Sequence, residues 1–229
     1  MTNKILVWDL PVRLFHWLLV ISLVASWYTS DGDKGLIDYH LQIGYFTLGL
    51  IIFRITWGIF GTRYARFSQF MPKKQALLNY IKNVKQEKSY STVGHNPMGG
   101  LMVVLMLTLV LSQSISGLFM NDDVFTTGPY FESVSSSTQK LMSFIHNNVF
   151  DVIIVVSILH ICAAFYYLIA KKINLIKPMI TGYKSGEKFN GHGITSSKLI
   201  LALVIILAVV IFLYWLLVLN IPVEEEFYY

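Results

Sequence analysis

The chain has 229 residues, of which 55% are hydrophobic and only 14% are charged, and its formal net charge is +5. A water-soluble domain needs more charged side chains to cover its surface, so this composition excludes an ordinary soluble protein and indicates a membrane domain. Because Cys162 is the only cysteine, a disulfide bond and a four-thiolate metal or iron–sulfur site are excluded within one chain.

Five apolar segments approach the roughly 20 residues that a helix needs to cross a hydrocarbon core. In chain order they are residues 12–28, 40–60, 97–120, 146–170 and 199–219. We therefore predict an all-α integral membrane protein. Residues 1–182 form a four-helix transmembrane bundle, and residues 183–229 comprise a linker on the inner side, a fifth transmembrane helix and an acidic outer tail. The first segment lacks a small-residue cleavage pattern, which favours a retained helix over a signal peptide.

Basic and acidic residues alternate along the loops between these segments. Lysines and arginines concentrate before the first segment, between the second and third, and between the fourth and fifth, whereas acidic residues concentrate in the other loops and the tail. The positive-inside rule then predicts a cytoplasmic amino terminus and a carboxyl terminus on the outer, periplasmic side of the membrane. The net positive charge reflects this topology and contact with anionic membrane lipid, so no nucleic-acid partner is needed to explain it.

Reporter fusions test this orientation. A reporter placed after Asp33, after Asp123 or at the carboxyl terminus should lie in the periplasm, because the loops and tail around these positions contain few lysines or arginines. A reporter near Lys85 should lie in the cytoplasm for the opposite reason. Alkaline phosphatase and green fluorescent protein fusions measure the two outcomes separately. A cytoplasmic signal from the carboxyl terminus would contradict the predicted topology.

Three loops carry recognisable patterns. In residues 61–95, Pro72 precedes apolar residues at helical spacing among lysines, which predicts a short helix on the inner membrane surface; a solvated charged loop is an equal alternative. Residues 121–145 mix acidic residues, glycine, proline and serines, which indicates a periplasmic cap. Residues 183–197 contain three glycines and are predicted to be a flexible inner linker to the fifth segment.

Four of the six histidines lie in or at the ends of the apolar segments: His16, His40, His146 and His160. An intramembrane ionisable side chain is costly and usually functional, although a satisfied buried histidine is the ordinary explanation of any single case. With the predicted topology, His16 and His160 lie in the inner half of the membrane. His40 and His146 lie near its outer boundary. The four histidines are therefore predicted to form an inner pair and an outer pair.

The fourth segment contributes one histidine to each pair. His146 and His160 are 14 residues apart, about four helical turns, so both face the same side of one helix at two depths. This helix can supply an axial ligand to each of two stacked cofactors, completed by His16 at the inner depth and by His40 at the outer depth. Haem iron accepts two trans imidazoles, and facing helices of a bundle can present them. No carboxylate cluster accompanies the histidines, which disfavours a zinc or di-iron site.

Arg54 lies 14 residues after His40, on the same face of the second helix and in its inner half. A buried guanidinium needs an anion, and no carboxylate lies at that depth of the predicted segments. A haem propionate would supply the negative charge, so Arg54 is a predicted cofactor-binding residue. The alternative is that its side chain extends to the inner lipid headgroups.

Five stretches of the sequence carry a family pattern. They are VWDLPVRLFHW at residues 7–17, YHLQIGY at residues 39–45, FRITWGIFGTRYARF at residues 53–67, GHNPMGG at residues 94–100 and LHICAAFYY at residues 159–167. Together they resemble the bacterial cytochrome b561 and nickel–iron hydrogenase b-type cytochrome family, a diheme membrane cytochrome b, over the first four segments. The fifth segment and the acidic tail depart from the family's minimal four-helix core.

The resemblance implies two b haems, quinone-coupled electron transfer and a location in the bacterial inner (plasma) membrane. It also implies that the axial ligands of the two irons are His16, His40, His146 and His160. His95 precedes Pro97 and is expected to cap the third helix or to contact a propionate, whereas His192, in a glycine-rich loop, is expected to be solvated. A quinone head could contact the polar residues near the outer end of the third segment, which could equally bond neighbouring helices. These residues are Ser112, Gln113, Ser114 and Ser116.

Two functions from different classes fit the sequence. The leading hypothesis is an electron-transfer subunit that links the quinone pool to a periplasmic redox partner, such as a hydrogenase, a c-type cytochrome or a small oxidant. The alternative is a haem-free transporter whose intramembrane histidines carry protons or metal ions. The matched histidine pairs and the placement of Arg54 favour the first hypothesis. A homodimer is compatible with either arrangement.

Overall fold

The structure is a computed structural model that describes residues 4–31, 35–85, 92–121, 126–185 and 193–222. Within these residues the chain forms eight helices and a two-stranded ribbon. The helices are α1 (Leu10–Thr29), α2 (Ile37–Phe60), α3 (Phe67–Phe70), α4 (Lys74–Lys85), α5 (Pro97–Gly117), α6 (Ser136–Ile169), α7 (Ile176–Thr181) and α8 (Leu199–Tyr214). The strands are β1 (Lys4–Leu6) and β2 (Tyr183–Ser185). A 3-10 turn over Arg63–Ala65 precedes α3, and a π-helical turn over Trp215–Leu219 extends α8.

Five of these helices are long and apolar enough to cross a membrane, namely α1, α2, α5, α6 and α8 with its π-helical turn. The five predicted spans are therefore confirmed as helices, and the chain is an all-α membrane bundle. Polar caps fix where two of them begin. Asp9 Oδ1 accepts a hydrogen bond of 2.7 Å from the Val12 amide at the start of α1, and Asn96 Oδ1 accepts one of 2.7 Å from the Gly99 amide at the start of α5.

The fourth span begins ten residues earlier than predicted, at Ser136 rather than at His146. The run of serines that indicated part of a periplasmic cap is instead the start of α6. The hydroxyl of Ser135 lies 2.9 Å from the Ser137 hydroxyl and 3.1 Å from the Thr138 hydroxyl, as expected for serines that satisfy polar groups at a helix start. Residues 136–145 are therefore helical and do not belong to the loop in which they were predicted, whereas the periplasmic location of this region remains a prediction.

The loop between the second and third spans contains the predicted short helix, α4. The alternative of a wholly solvated loop is wrong, because Tyr80 of this helix is only 5% exposed. Its hydroxyl lies 2.5 Å from the hydroxyl of Tyr167 on α6, and Asn96 Nδ2 donates to the same Tyr167 oxygen over 3.1 Å. These hydrogen bonds attach α4 to α6 and to the start of α5.

The predicted flexible linker after the fourth span is partly ordered. Its first three residues form β2, which pairs antiparallel with β1, so that Ile5 lies opposite Lys184. The amides of Val7 and Trp8 donate to the carbonyl oxygen of Gly182, which has a φ of +86° that a residue with a side chain rarely adopts. Each strand has only three residues, too few to show the period-2 pattern from which a strand could be predicted. His192 lies outside the described residues, as do Asp33, Asp123 and the tail acids Glu224, Glu225 and Glu226.

The chain divides into two compact units, and each contains parts of several helices. Unit 1 comprises Met1–His16, Arg54–Leu107 and Val156–Ile205. Unit 2 comprises Trp17–Phe53, Thr108–Val155 and Ile206–Tyr229. The core of unit 1 is built around Trp57 and Val7, both wholly buried, and the core of unit 2 around Ile51 and Val110. In unit 2, a β-carbon at Gly49 would lie 2.8 Å from the Leu213 side chain, so this glycine lets α8 pack closely against α2.

Candidate functional site

Unit 1 brings together His16 of α1 and His160 of α6. The centres of their imidazole rings are 6.4 Å apart, and the ring planes are inclined at 53°. These two residues are the pair predicted at the inner depth. The cap at Asp9 fixes the start of α1, and His16 lies seven residues later, two helical turns along the same face.

Unit 2 brings together His40 of α2 and His146 of α6. Their ring centres are 6.2 Å apart, and the planes are inclined at 81°. These two residues are the pair predicted at the outer depth. Because α6 begins at Ser136, His146 lies well inside the helix and not at its first turn, where a fraying end would hold the ring less firmly.

The ring separations fit two imidazoles that ligate one iron from opposite sides. An imidazole nitrogen binds a transition metal at about 2 Å and lies about 1 Å from its own ring centre, so two trans imidazoles place their ring centres about 6 Å apart. Both observed separations agree with this value. In the part of the chain that the structure describes, no group of three or more His, Cys, Asp or Glu side chains could hold a metal ion by itself. The two pairs suit an iron whose remaining ligands come from a macrocycle.

Hydrogen bonds to backbone carbonyls orient both rings in unit 2. His40 Nδ1 lies 2.9 Å from the carbonyl oxygen of Ser26, and His146 Nδ1 lies 3.1 Å from that of Gln113. A carbonyl oxygen can only accept, so each Nδ1 carries the proton and donates. The proton on Nδ1 leaves the lone pair of Nε2 available to a metal, which is the usual arrangement of a ligand histidine.

Arg54 is 3% exposed and lies in unit 1, under the rings of Phe67 and Phe70. Its Nη1 donates to the carbonyl oxygen of Ala65 over 3.2 Å. The side chain is therefore held inside unit 1, which excludes the alternative of an arginine extended to lipid headgroups. A carboxylate from outside the predicted segments nevertheless acts on Arg54, because the buried Asp9, just before α1, interacts with it electrostatically.

Asp9 is the residue of this region that the sequence argument missed. It is 1% exposed, and besides capping α1 through Oδ1 it uses Oδ2 to accept hydrogen bonds from the Trp57 indole, over 3.1 Å, and from the Thr62 hydroxyl. One carboxylate thus joins the start of α1, which carries His16, to the last turns of α2 and the residues that follow them. A buried charge with three donors is well satisfied, and it offsets part of the positive charge of Arg54.

His95 does not cap the third helix, because Asn96 does so. The His95 ring instead lies between two aromatic rings, with centre separations of 4.5 Å to Trp8 and 4.7 Å to Phe70. Burial, followed by the positive charge of Arg54, lowers the pKa of His95 from 6.5 to about 3. The ring is therefore neutral at physiological pH. The expectation of a propionate contact remains a prediction.

The lowered pKa of His95 predicts a pH-dependent loss of stability. Between about pH 6.5 and about pH 3 the unfolded chain binds a proton at His95 that the folded chain does not, so the free energy of unfolding falls as the pH is lowered through this window, by up to about 1.4 kcal/mol per pH unit. His95→Phe keeps a ring in this position and removes the titrating nitrogens. We expect the thermal midpoint of the unaltered protein to fall more than that of the variant between about pH 7 and about pH 5. Equal falls in the thermal midpoints of the two proteins over this pH range would contradict the lowered pKa of His95.

Of the polar residues near the end of the third span, Ser116 and Gln113 contact His146 of the unit 2 pair. The Ser116 hydroxyl lies 3.2 Å from His146 Nδ1 and donates to the Gln113 carbonyl oxygen over 3.0 Å. Ser116 is 1% exposed. Its hydrogen bonds are therefore to its own helix and to a histidine of a neighbouring helix. Of the two predicted uses, a quinone contact or a bond between helices, this is the second.

The chain is similar to known proteins over most of its length. The family model described as prokaryotic cytochrome b561 matches residues 7–182. A protein of Rhizobium leguminosarum bv. viciae named "Probable Ni/Fe-hydrogenase B-type cytochrome subunit" is 25% identical over 214 residues, covering 79% of this chain and 88% of the relative. A protein of the same name from Rhodobacter capsulatus is 20% identical over 216 residues, covering 80% and 82%. No solved structure matches the chain. This chain therefore belongs to the prokaryotic cytochrome b561 family and is a multi-pass membrane b-type cytochrome of electron transfer.

Proposed function

We propose that the chain binds two b haems and passes electrons between the quinone pool and a periplasmic redox partner. His16 and His160 would ligate the iron of one haem, and His40 and His146 the iron of the other. The observation that carries this proposal is that the two pairs have nearly the same ring separation, 6.4 and 6.2 Å, close to the value for trans ligation of one metal. Each of these pairs lies within one unit and contains one histidine of α6.

Haem supplies the one-electron chemistry when it is bound, and the protein supplies ligation, orientation and electrostatics. In unit 2, the carbonyl oxygens of Ser26 and Gln113 keep the histidine protons on Nδ1. In unit 1, the buried guanidinium of Arg54 provides positive charge near His95 and would stabilise a propionate. Because Asp9 offsets part of that charge, we expect Arg54 to tune the haem in unit 1 and not to be essential for its binding.

The names of the relatives suggest a hydrogenase-type partner, and a c-type cytochrome or a small oxidant remains an alternative electron donor or acceptor. The charge asymmetry of the loops supports the predicted orientation of the chain, and we propose that the partner binds at its periplasmic face. Quinone is the proposed redox substrate within the membrane. The haem-free transporter has no support from the family to which the chain belongs.

Reduction by a quinol tests this function. Purified protein, oxidised with ferricyanide, should develop a b-type α band when duroquinol is added, and dithionite should then reduce whatever haem remains oxidised. The His16→Ala and His40→Ala variants should each develop a smaller band, because each would have lost one centre. A dithionite-reducible α band that duroquinol never produces would contradict a quinone-linked function. The absence of any α band would contradict haem binding itself.

A further inference from the structure

We propose that Ser116 and Gly117, at the end of α5, orient the imidazole of His146 and lower the midpoint potential of the haem that this histidine would ligate. This inference rests on the proposed haem ligation. It concerns two residues that contact the ring of His146 and would not touch the iron, so they are positioning residues.

Two acceptors share the Nδ1 proton of His146. One is the carbonyl oxygen of Gln113 at 3.1 Å, and the other is the hydroxyl oxygen of Ser116 at 3.2 Å. The Ser116 hydroxyl hydrogen is directed to the same Gln113 carbonyl, over 3.0 Å, which leaves its oxygen lone pairs for His146. Ser116 is 1% exposed, so water does not compete for this hydrogen bond.

Gly117 contributes the space that the ring needs. A β-carbon at this position would lie 3.1 Å from His146 Cε1 and 3.5 Å from Nδ1. The first distance is shorter than an ordinary van der Waals contact, so a methyl group would displace the ring or α5. Ser116 and Gly117 therefore fix the imidazole from one side through a hydrogen bond and a close backbone approach.

The two histidines of unit 2 differ in what holds them. Among the described contacts, Nδ1 of His40 bonds the carbonyl oxygen of Ser26, a backbone atom that substitution cannot remove, whereas His146 also bonds a side chain. A hydrogen bond from Nδ1 makes the ring a stronger electron donor, which favours the ferric iron and lowers the midpoint potential. The side chain at position 116 is therefore expected to influence the midpoint potential of one haem and not of the other.

Redox titration of Ser116→Ala tests the inference. The α band of the purified full-length variant should titrate with one centre shifted to a higher potential and the other unchanged. Ser116→Thr retains a hydroxyl and should restore the shifted centre towards its original potential. Ser22→Ala is the matched control, because Ser22 is also buried in unit 2 and donates to a carbonyl of its own helix, that of Leu18. This control should titrate as the unaltered protein does.

Electron paramagnetic resonance of Gly117→Ala gives a second readout that does not depend on Ser116. A displaced His146 ring should change the g values of one low-spin ferric signal and leave the other signal unchanged. Unaltered titrations of Ser116→Ala, or equal shifts in both centres, would overturn the inference, as would unchanged g values in Gly117→Ala. If the unaltered protein has no haem, or if His146→Ala keeps both haems, the proposed function fails and not only the role of Ser116.

Discussion

The double variant His146→Ala with His160→Ala is expected to bind no bis-histidine haem. Both residues lie on α6, and each faces the one other histidine of its pair, so removing both leaves His16 and His40 without trans partners. A haem held by a single imidazole loses an axial bond. We expect the pyridine haemochrome assay to find little or no haem in the purified double variant.

The four single histidine variants test which two histidines hold the same haem. His16→Ala and His160→Ala should lose the same spectral centre, and His40→Ala and His146→Ala should lose the other. The control is Asn147→Ala with Cys162→Ala, two exposed residues close to the histidines on the same helix, which should keep both centres. If His16→Ala and His146→Ala removed the same centre, or if His95→Ala removed one, the proposed ligand pairs would be wrong.

Asp9→Ala is expected to destabilise the protein by roughly 3–5 kcal/mol, the usual cost of removing one member of a buried charged network. The variant leaves the indole of Trp57 and the hydroxyl of Thr62 without their acceptor, and it leaves the guanidinium of Arg54 without its compensating charge. It also removes the cap of α1. We expect a lower thermal midpoint in detergent and a weaker hold on the haem in unit 1, because α1 carries His16.

Glu132→Ala is the matched control for Asp9→Ala. Glu132 is an exposed acid in the loop before α6, outside the five spans, so its removal should leave the thermal midpoint nearly unchanged. The thermal midpoint of Asp9→Asn should fall between those of these two variants, since the amide oxygen can accept a hydrogen bond but carries no charge. A thermal midpoint of Asp9→Ala equal to that of Glu132→Ala would contradict the role given to this carboxylate.

The spans and the histidine pairs could be predicted from the sequence, because the spans follow from the length of apolar runs and the pairs from the helical period. An uninterrupted apolar run of about 20 residues allows few structures other than a transmembrane helix. A spacing of 14 residues brings His146 and His160 to one face of one helix whatever surrounds it. The predicted depth of each histidine in the membrane then matched His146 and His160 with one histidine each from another helix. The ring contacts in each unit agree with these pairs.

The contacts around Arg54 and His95 could not be predicted in the same way. Asp9 carries a local signal, since an acid just before an apolar helix is a common cap, but the donors Trp57 and Thr62 lie 48 and 53 residues further along the chain. No helical period relates them. The ribbon of β1 and β2 was missed for a similar reason, because two strands of three residues each are too short to show an alternating pattern.

The number of haems per chain tests the central claim most directly. The pyridine haemochrome assay on purified protein, with protein quantified by amino-acid analysis, measures this number without reference to a partner or a quinone. Two facing histidine pairs predict two b haems per chain, and the oxidised protein should show two low-spin ferric signals. One haem per chain, or none, would contradict the proposal that His16 with His160 and His40 with His146 each hold an iron.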